Sequence, residues 1–220
     1  MTIFKSEQIF VLTPSKGTVI KIFYGLSGTF KGTMIKTLIT PDTAVVWSMI
    51  KTWKRLETGI YSGLIERNDL NYALLHLCNL EHTLKTTDKK DILVERGVSD
   101  MSYYRLQAYR NIDPDASDKW IREAAEEELR ICQGQAVHKI LLVQNDREFI
   151  ENVVLSEKTR REVFPNGLTD YLKSQEAYIT FTEQYNKIDE VITINNARSY
   201  LESLGIEYNE KLTNFKQQNL

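Results

Sequence analysis

Three glycines, two threonines and a lysine crowd into residues 25–33, Gly25-Leu26-Ser27-Gly28-Thr29-Phe30-Lys31-Gly32-Thr33. They directly follow the apolar run Thr18-Val19-Ile20-Lys21-Ile22-Phe23-Tyr24. Glycines let successive backbone N–H groups converge on an anion. A helix opening at the lysine adds the partial positive charge of its N-terminus, and the ammonium neutralises terminal phosphate oxygens. The segment therefore predicts a phosphate-binding loop for a nucleoside triphosphate. Its nucleotide-binding residues are Gly25, Ser27, Gly28, Thr29, Phe30, Lys31, Gly32 and Thr33.

The loop departs from the usual G-x-x-x-x-G-K-[ST] spacing. Phe30 occupies the place of the second glycine, and Gly32 that of the Ser or Thr, with Thr33 following. The Lys-Gly-Thr ending resembles the adenylate kinase variant of the loop. Phe30 keeps its backbone N–H but is expected to add bulk near the phosphates. The plain alternative is an ordinary strand–turn–helix with a chance lysine.

Other candidate residues stand behind later apolar runs. Glu95-Arg96 ends Ile92-Leu93-Val94. A carboxylate there can hold Mg2+, directly or through water, or take a proton from an attacking hydroxyl. The neighbouring guanidinium can fork onto a phosphate. A strand-end salt bridge is the alternative. Lys158, Arg160 and Arg161 lie in a segment bounded by Pro165-Asn166-Gly167. Arginines on such a lid can neutralise charge on a transferring phosphoryl group and exclude water; a solvated basic turn reads the same way. Asn196 follows the fifth apolar run, where it would border a nucleotide base or simply cap a helix. Trp53, Glu57 and Arg67 offer an acceptor pocket, or Trp53 is plain packing.

These residues need a frame. Strand-like runs cover 18–24, 43–49, 91–94, 138–143 and 191–194, with helical stretches at 31–39, 66–84, 116–132, 167–187 and 197–204 between them. Alternation predicts an α/β fold, a mostly parallel five-stranded sheet covered by helices on both faces. Ligands of such sheets sit outside the carboxyl ends of the strands. Residues 1–17 read as a small N-terminal appendage, turning as a hairpin. Residues 18–220 read as one domain, with a lid at about 145–166.

Composition narrows the classes. A net charge of −2 argues against a protein whose main work is wrapping a nucleic acid backbone. Cys78 and Cys132 have no metal-ligand spacing, and both read as buried thiols. Glu126-Glu127-Glu128 reads as a solvated helix face. The N-terminus lacks a signal-peptide pattern and no run reaches membrane-span length, so the expected location is the cytoplasm, without a membrane partner.

Four pieces in order resemble the P-loop nucleoside and nucleotide kinases, notably thymidylate kinases and deoxynucleoside kinases: the loop 25–33, Glu95-Arg96, Arg160-Arg161-Glu162, and Tyr171-Leu172 with Tyr178 after the lid. The resemblance implies a three-layer α/β/α P-loop kinase fold and phosphoryl transfer from ATP with Mg2+. It gives Lys31 the terminal phosphates and Thr33 and Glu95 the metal. Arg96 would meet the acceptor, and Arg160 or Arg161 the transferring group. The segment 101–132, with Tyr103, Tyr104, Arg105 and Arg110, looks specialised and adds Arg105 to the acceptor residues. The expected acceptor is a nucleoside or nucleotide. The alternatives are a hydroxyl on DNA or on a modified base, and a catalytically inactive nucleotide-binding protein, the latter suggested by Phe30. The apolar helix at 66–84 would serve a homodimer.

Overall fold

The computed structural model describes residues 17–48, 69–100, 103 and 114–206. Five parallel strands make one sheet: β1 Val19–Tyr24, β2 Thr43–Val46, β3 Asp91–Glu95, β4 Ala136–Val143 and β5 Glu190–Thr193. Their spatial order is β2-β3-β1-β4-β5. The central strands are built from Val, Ile, Leu and Phe because a parallel sheet is covered on both faces and leaves no solvent side for polar residues.

Around the sheet lie α1 Lys31–Leu38, α2 Asp69–Thr86, α3 Pro114–Ile131, α4 Arg147–Phe149, α5 Lys158–Val163, α6 Leu168–Tyr185 and α7 Ala197–Ser203. A π-helical turn, Ile150–Val154, continues α4. Strand alternation splits the apolar residues into two layers. Phe23, Leu93, Ile140, Leu142 and Ile192 meet Met34, Ile35 and Leu38 of α1 and Leu201 of α7. On the other face Ile20, Ile22, Tyr24, Val94 and Leu141 meet Leu80, Ile121, Tyr171, Tyr178 and Phe181 from α2, α3 and α6. The result is the expected three-layer α/β/α arrangement.

Register positions the site. Phe23 pairs with Glu95 on one side and Ile140 on the other. The chain leaving β1 therefore emerges between the ends of β3 and β4, the crevice where connections diverge in open α/β sheets.

Several details differ from expectation. β2 stops at Val46, with Trp47 and Ser48 beyond it. Cys78 is exposed on α2 while Cys132 is buried, because Cys78 falls on the helix face turned from the sheet. Leu74 and Leu129, which fit a helical apolar pattern, are each 50% exposed for the same reason. Gly205 does end α7: its φ is 71°, and its N–H donates to the Glu202 carbonyl at 3.0 Å. The expected hairpin falls almost wholly outside the described residues. Among the described residues no helix is long and apolar enough to cross a membrane.

Candidate active site

The loop after β1 is held from two sides. Gly25 N–H donates to the Tyr178 hydroxyl at 2.8 Å, and the Tyr171 hydroxyl donates to the Ser27 carbonyl at 3.2 Å. Both tyrosines come from α6, so the helix after the lid clamps the loop. Within the turn, Thr29 Oγ1 donates to the Leu26 carbonyl at 2.8 Å. Gly25 is required by crowding: a β-carbon there would collide with the Thr29 hydroxyl and stand 2.8 Å from the Leu142 carbonyl.

Phe30 itself supplies the glycine-like conformation. Its φ and ψ are 46° and 17°, the left-handed region, at the N-cap of α1. A non-glycine residue held there costs on the order of 1–2 kcal/mol. Its ring is partly buried and packs against the core layer beneath α1. Burial of the ring offsets the strain, and the backbone keeps the turn that a glycine would make.

Lys31 is 6% exposed. Its ammonium donates to the Gly25 carbonyl, to the Leu26 carbonyl at 2.8 Å and to Thr29 Oγ1 at 3.3 Å. The cation is thus centred in the mouth of the loop. Thr33 stands in the first turn of α1, partly buried.

At the end of β3, Glu95 is 5% exposed, and one carboxylate oxygen accepts from Ser48 N–H at 3.3 Å. Arg96 has φ 74°, a second left-handed residue without glycine's freedom, and its N–H donates to the Phe23 carbonyl at 3.0 Å. Strain of this kind gathers at functional sites. Arg96 Nη1 donates to Asp100 Oδ1 at 2.7 Å. The sequence does not single out Asp100, because a carboxylate near the start of a helix has the ordinary reading of a cap. Here it is 1% exposed, burial pushes its carboxyl above the usual range, and Arg96 and Lys31 oppose that push.

The segment 145–166, expected as a lid, is folded into short helical turns. Asp146 Oδ1 caps α4 by accepting Phe149 N–H at 2.9 Å. Gln144 and Gln175 exchange two 2.9 Å hydrogen bonds that tie the lid's base to α6. The lid lies over the loop: a β-carbon on Gly28 would stand 2.7 Å from Val154 and 3.4 Å from Arg160 Nη1. Gly28, at φ 94°, therefore serves both the backbone turn and the approach of the lid. Arg160 Nε also pairs with Glu157 at 3.2 Å. Arg161 is exposed, and its guanidinium donates to the lid's own Ser156 carbonyl at 2.9 Å. Of the two candidate arginines, Arg160 is the one beside the loop.

Behind the strand ends lies a buried polar hub that corrects the reading of the glutamate run. Glu126 is exposed, but Glu128 is 0% exposed. The period of α3 turns it toward the sheet, where Oε1 accepts Val98 N–H at 2.8 Å and stands 3.4 Å from His76 Nε2. Tyr24 donates toward Glu128 Oε2 at 3.4 Å or Asn186 Oδ1 at 3.1 Å. Lys139 Nζ donates to Asn186 Oδ1 at 2.8 Å, and Asn186 Nδ2 donates to Ser99 Oγ at 2.7 Å. The hub anchors Val98 and Ser99, and so presents Asp100. Gly97 is needed beside it, because a β-carbon there would collide with Tyr24.

Asn196 does not cap α7 with its side chain. Its Oδ1 accepts Thr193 N–H at 2.6 Å and closes the turn after β5. Trp53, Glu57, Arg67 and Arg105 lie outside the described residues.

The residues present suit Mg2+. Thr33 and Glu95 offer hard oxygen donors at the ends of neighbouring elements. Among the described residues no three His, Cys, Asp or Glu side chains gather as a metal group. An ion held by one hydroxyl, one carboxylate, water and phosphate oxygens needs no such group.

No family model matches the chain, and no curated protein matches it. Among solved structures, it is similar to the tunicamycin resistance protein of Deinococcus radiodurans at 16% identity. That match covers 86% of this chain and 97% of the other, with a TM-score of 0.42. It is also similar to the APS kinase of Mycobacterium tuberculosis, solved in complex with AMPPNP and APS, at 15% identity. There the coverage is 87% and 99%, with a TM-score of 0.37. Neither is a thymidylate or deoxynucleoside kinase, so that narrower resemblance rests on the sequence motifs alone.

Proposed function

We propose that the chain is a P-loop phosphotransferase that moves the γ-phosphoryl group of ATP to a nucleoside or nucleotide acceptor. The observation that carries this reading is that two cations reach one loop: Lys31 Nζ donates to the Leu26 carbonyl at 2.8 Å, and Arg160 Nη1 lies 3.4 Å from where a β-carbon on Gly28 would stand. Cations brought to one loop from two elements suit a group whose negative charge is spread over three equatorial oxygens.

Loop N–H groups and Lys31 would bind the β- and γ-phosphates. Arg160 would compensate the charge on the transferring group, while Val154 and the lid exclude water. Thr33 and Glu95 would hold Mg2+, which would supply charge neutralisation for the phosphates. Arg96 would face the acceptor, with Glu95 as the nearby carboxylate that can take its proton. Phe30 keeps the loop's turn and packs its partly buried ring against the core, so its presence is compatible with a working loop.

Transfer of label from γ-labelled ATP, screened over nucleosides, nucleotides and DNA, tests the proposal and identifies the acceptor. Label on DNA alone would replace the small-molecule acceptor. ATP binding without any transfer would replace the kinase reading with a nucleotide-binding one. Leu74 and Leu75 on α2 and Leu129 on α3 are exposed, and a homodimer that covered them would elute at twice the monomer mass.

A further inference from the structure

Asp100 has more constraint around it than a surface carboxylate needs. It is 1% exposed, and Oδ1 accepts from Arg96 Nη1 at 2.7 Å. The hub behind it, through Val98–Glu128 and Ser99–Asn186, holds the segment in place.

Its neighbours belong to the two halves of the site. Arg96 follows Glu95 in a left-handed conformation, and the ion pair with Asp100 fixes where its guanidinium points. The Tyr178 hydroxyl and the Lys31 ammonium are the other polar groups facing the carboxylate. Tyr178 in turn accepts the N–H of Gly25, the first glycine of the loop. A single buried carboxylate thus stands between the phosphate loop and the strand-end pair.

We propose that Asp100 is a positioning residue for phosphoryl transfer: its ion pair with Arg96 aims that guanidinium at the acceptor. The inference rests on the phosphotransferase reading of the same site. A negative charge beside the phosphates opposes ATP binding, so the residue serves rate and not affinity.

The variant D100N keeps the shape and removes the charge. Turnover is read as label released from γ-labelled ATP in the presence of Mg2+, to water or to acceptor, and affinity as ATP binding by calorimetry. D100N is expected to lower kcat on the order of tenfold to a hundredfold, the cost of misplacing a reacting group by about 1 Å. Its Kd for ATP stays equal or becomes tighter. D100E, which keeps the charge, recovers part of the rate. Y178F lowers kcat in the same direction by a smaller factor. A D100N enzyme within twofold of wild-type kcat would overturn the proposal. So would a loss of rate and ATP affinity together, in step with the folded fraction seen by circular dichroism. Lys31→Ala separates the two levels: if it leaves ATP binding and turnover intact, the phosphotransferase reading fails and the role of Asp100 falls with it. If Lys31→Ala is inactive and D100N is not, only the role of Asp100 fails.

Discussion

Arg160 reaches from the lid to Gly28, its Nη1 lying 3.4 Å from where a β-carbon on that glycine would stand. The neighbouring Arg161 donates to the backbone of its own segment. Two adjacent arginines thus have different surroundings. Arg160→Ala is expected to reduce kcat on the order of a thousandfold, the scale for an arginine that stabilises a transferring phosphoryl group. Arg161→Ala should change it less than about threefold, as for a surface residue away from the chemistry. Steady-state turnover of the two variants checks the assignment, and equal losses would contradict it.

Gly28→Ala adds a methyl group 2.7 Å from Val154 at a backbone φ of 94°. The lid must lift or the loop must shift. The variant is expected to lose stability by about 1–2 kcal/mol and to lose turnover as well, whereas Val154→Ala in the same background restores part of both. Thermal melts and initial rates read the rescue.

Phe30 predicts an inverted order of stabilities. Phe30→Ala keeps the left-handed strain and loses the ring's packing, so it is destabilised by about 1–3 kcal/mol. Phe30→Gly loses the same packing but releases about 1 kcal/mol or more of strain. The glycine variant should therefore melt above the alanine variant, and both should still bind ATP. Denaturant midpoints measure the order; an alanine variant more stable than the glycine variant would contradict the backbone account.

Alkaline pH should unfold the chain steeply. Burial pushes the Cys132 thiol and the Tyr200 hydroxyl up to about 12, and pushes Tyr24 and Tyr178 well above the ordinary tyrosine range. Each keeps its proton in the folded chain after the unfolded chain has released it. Stability from these groups is whole below about pH 8.5–10, and falls as pH rises from there toward their folded values, by up to about 1.4 kcal/mol per pH unit per group. Lys139 acts in the opposite sense, since burial lowers its pKa, but it is one group against four. Urea midpoints between pH 8 and 11 should fall. In the native state at pH 8, a thiol reagent should modify Cys78 and spare Cys132, and both should react after denaturation.

The strands were legible because a parallel sheet leaves its signature in short β-branched runs, and the loop because glycines and a lysine at fixed spacing have few other uses. Glu128 was not. In a run of three glutamates only the helix phase separates the buried one from its exposed neighbours, and that phase is set by packing on the sheet. Asp100 was hidden for a related reason: Arg96 stands four residues before it, but Lys31 and Tyr178 come from distant stretches. Leu74 and Leu129 show the converse, apolar residues with helical spacing that face outward. The conformation of Phe30 was not written in its residue type, since only the turn around it demands a left-handed backbone.

The measurement that bears most directly on the account is label transfer from γ-labelled ATP in the presence of Mg2+, wild type against Lys31→Ala, over a panel of nucleosides, nucleotides and DNA. The account predicts transfer to a nucleoside or nucleotide by the wild type and none by Lys31→Ala. Absence of transfer to every acceptor by folded wild-type protein that binds ATP would contradict it.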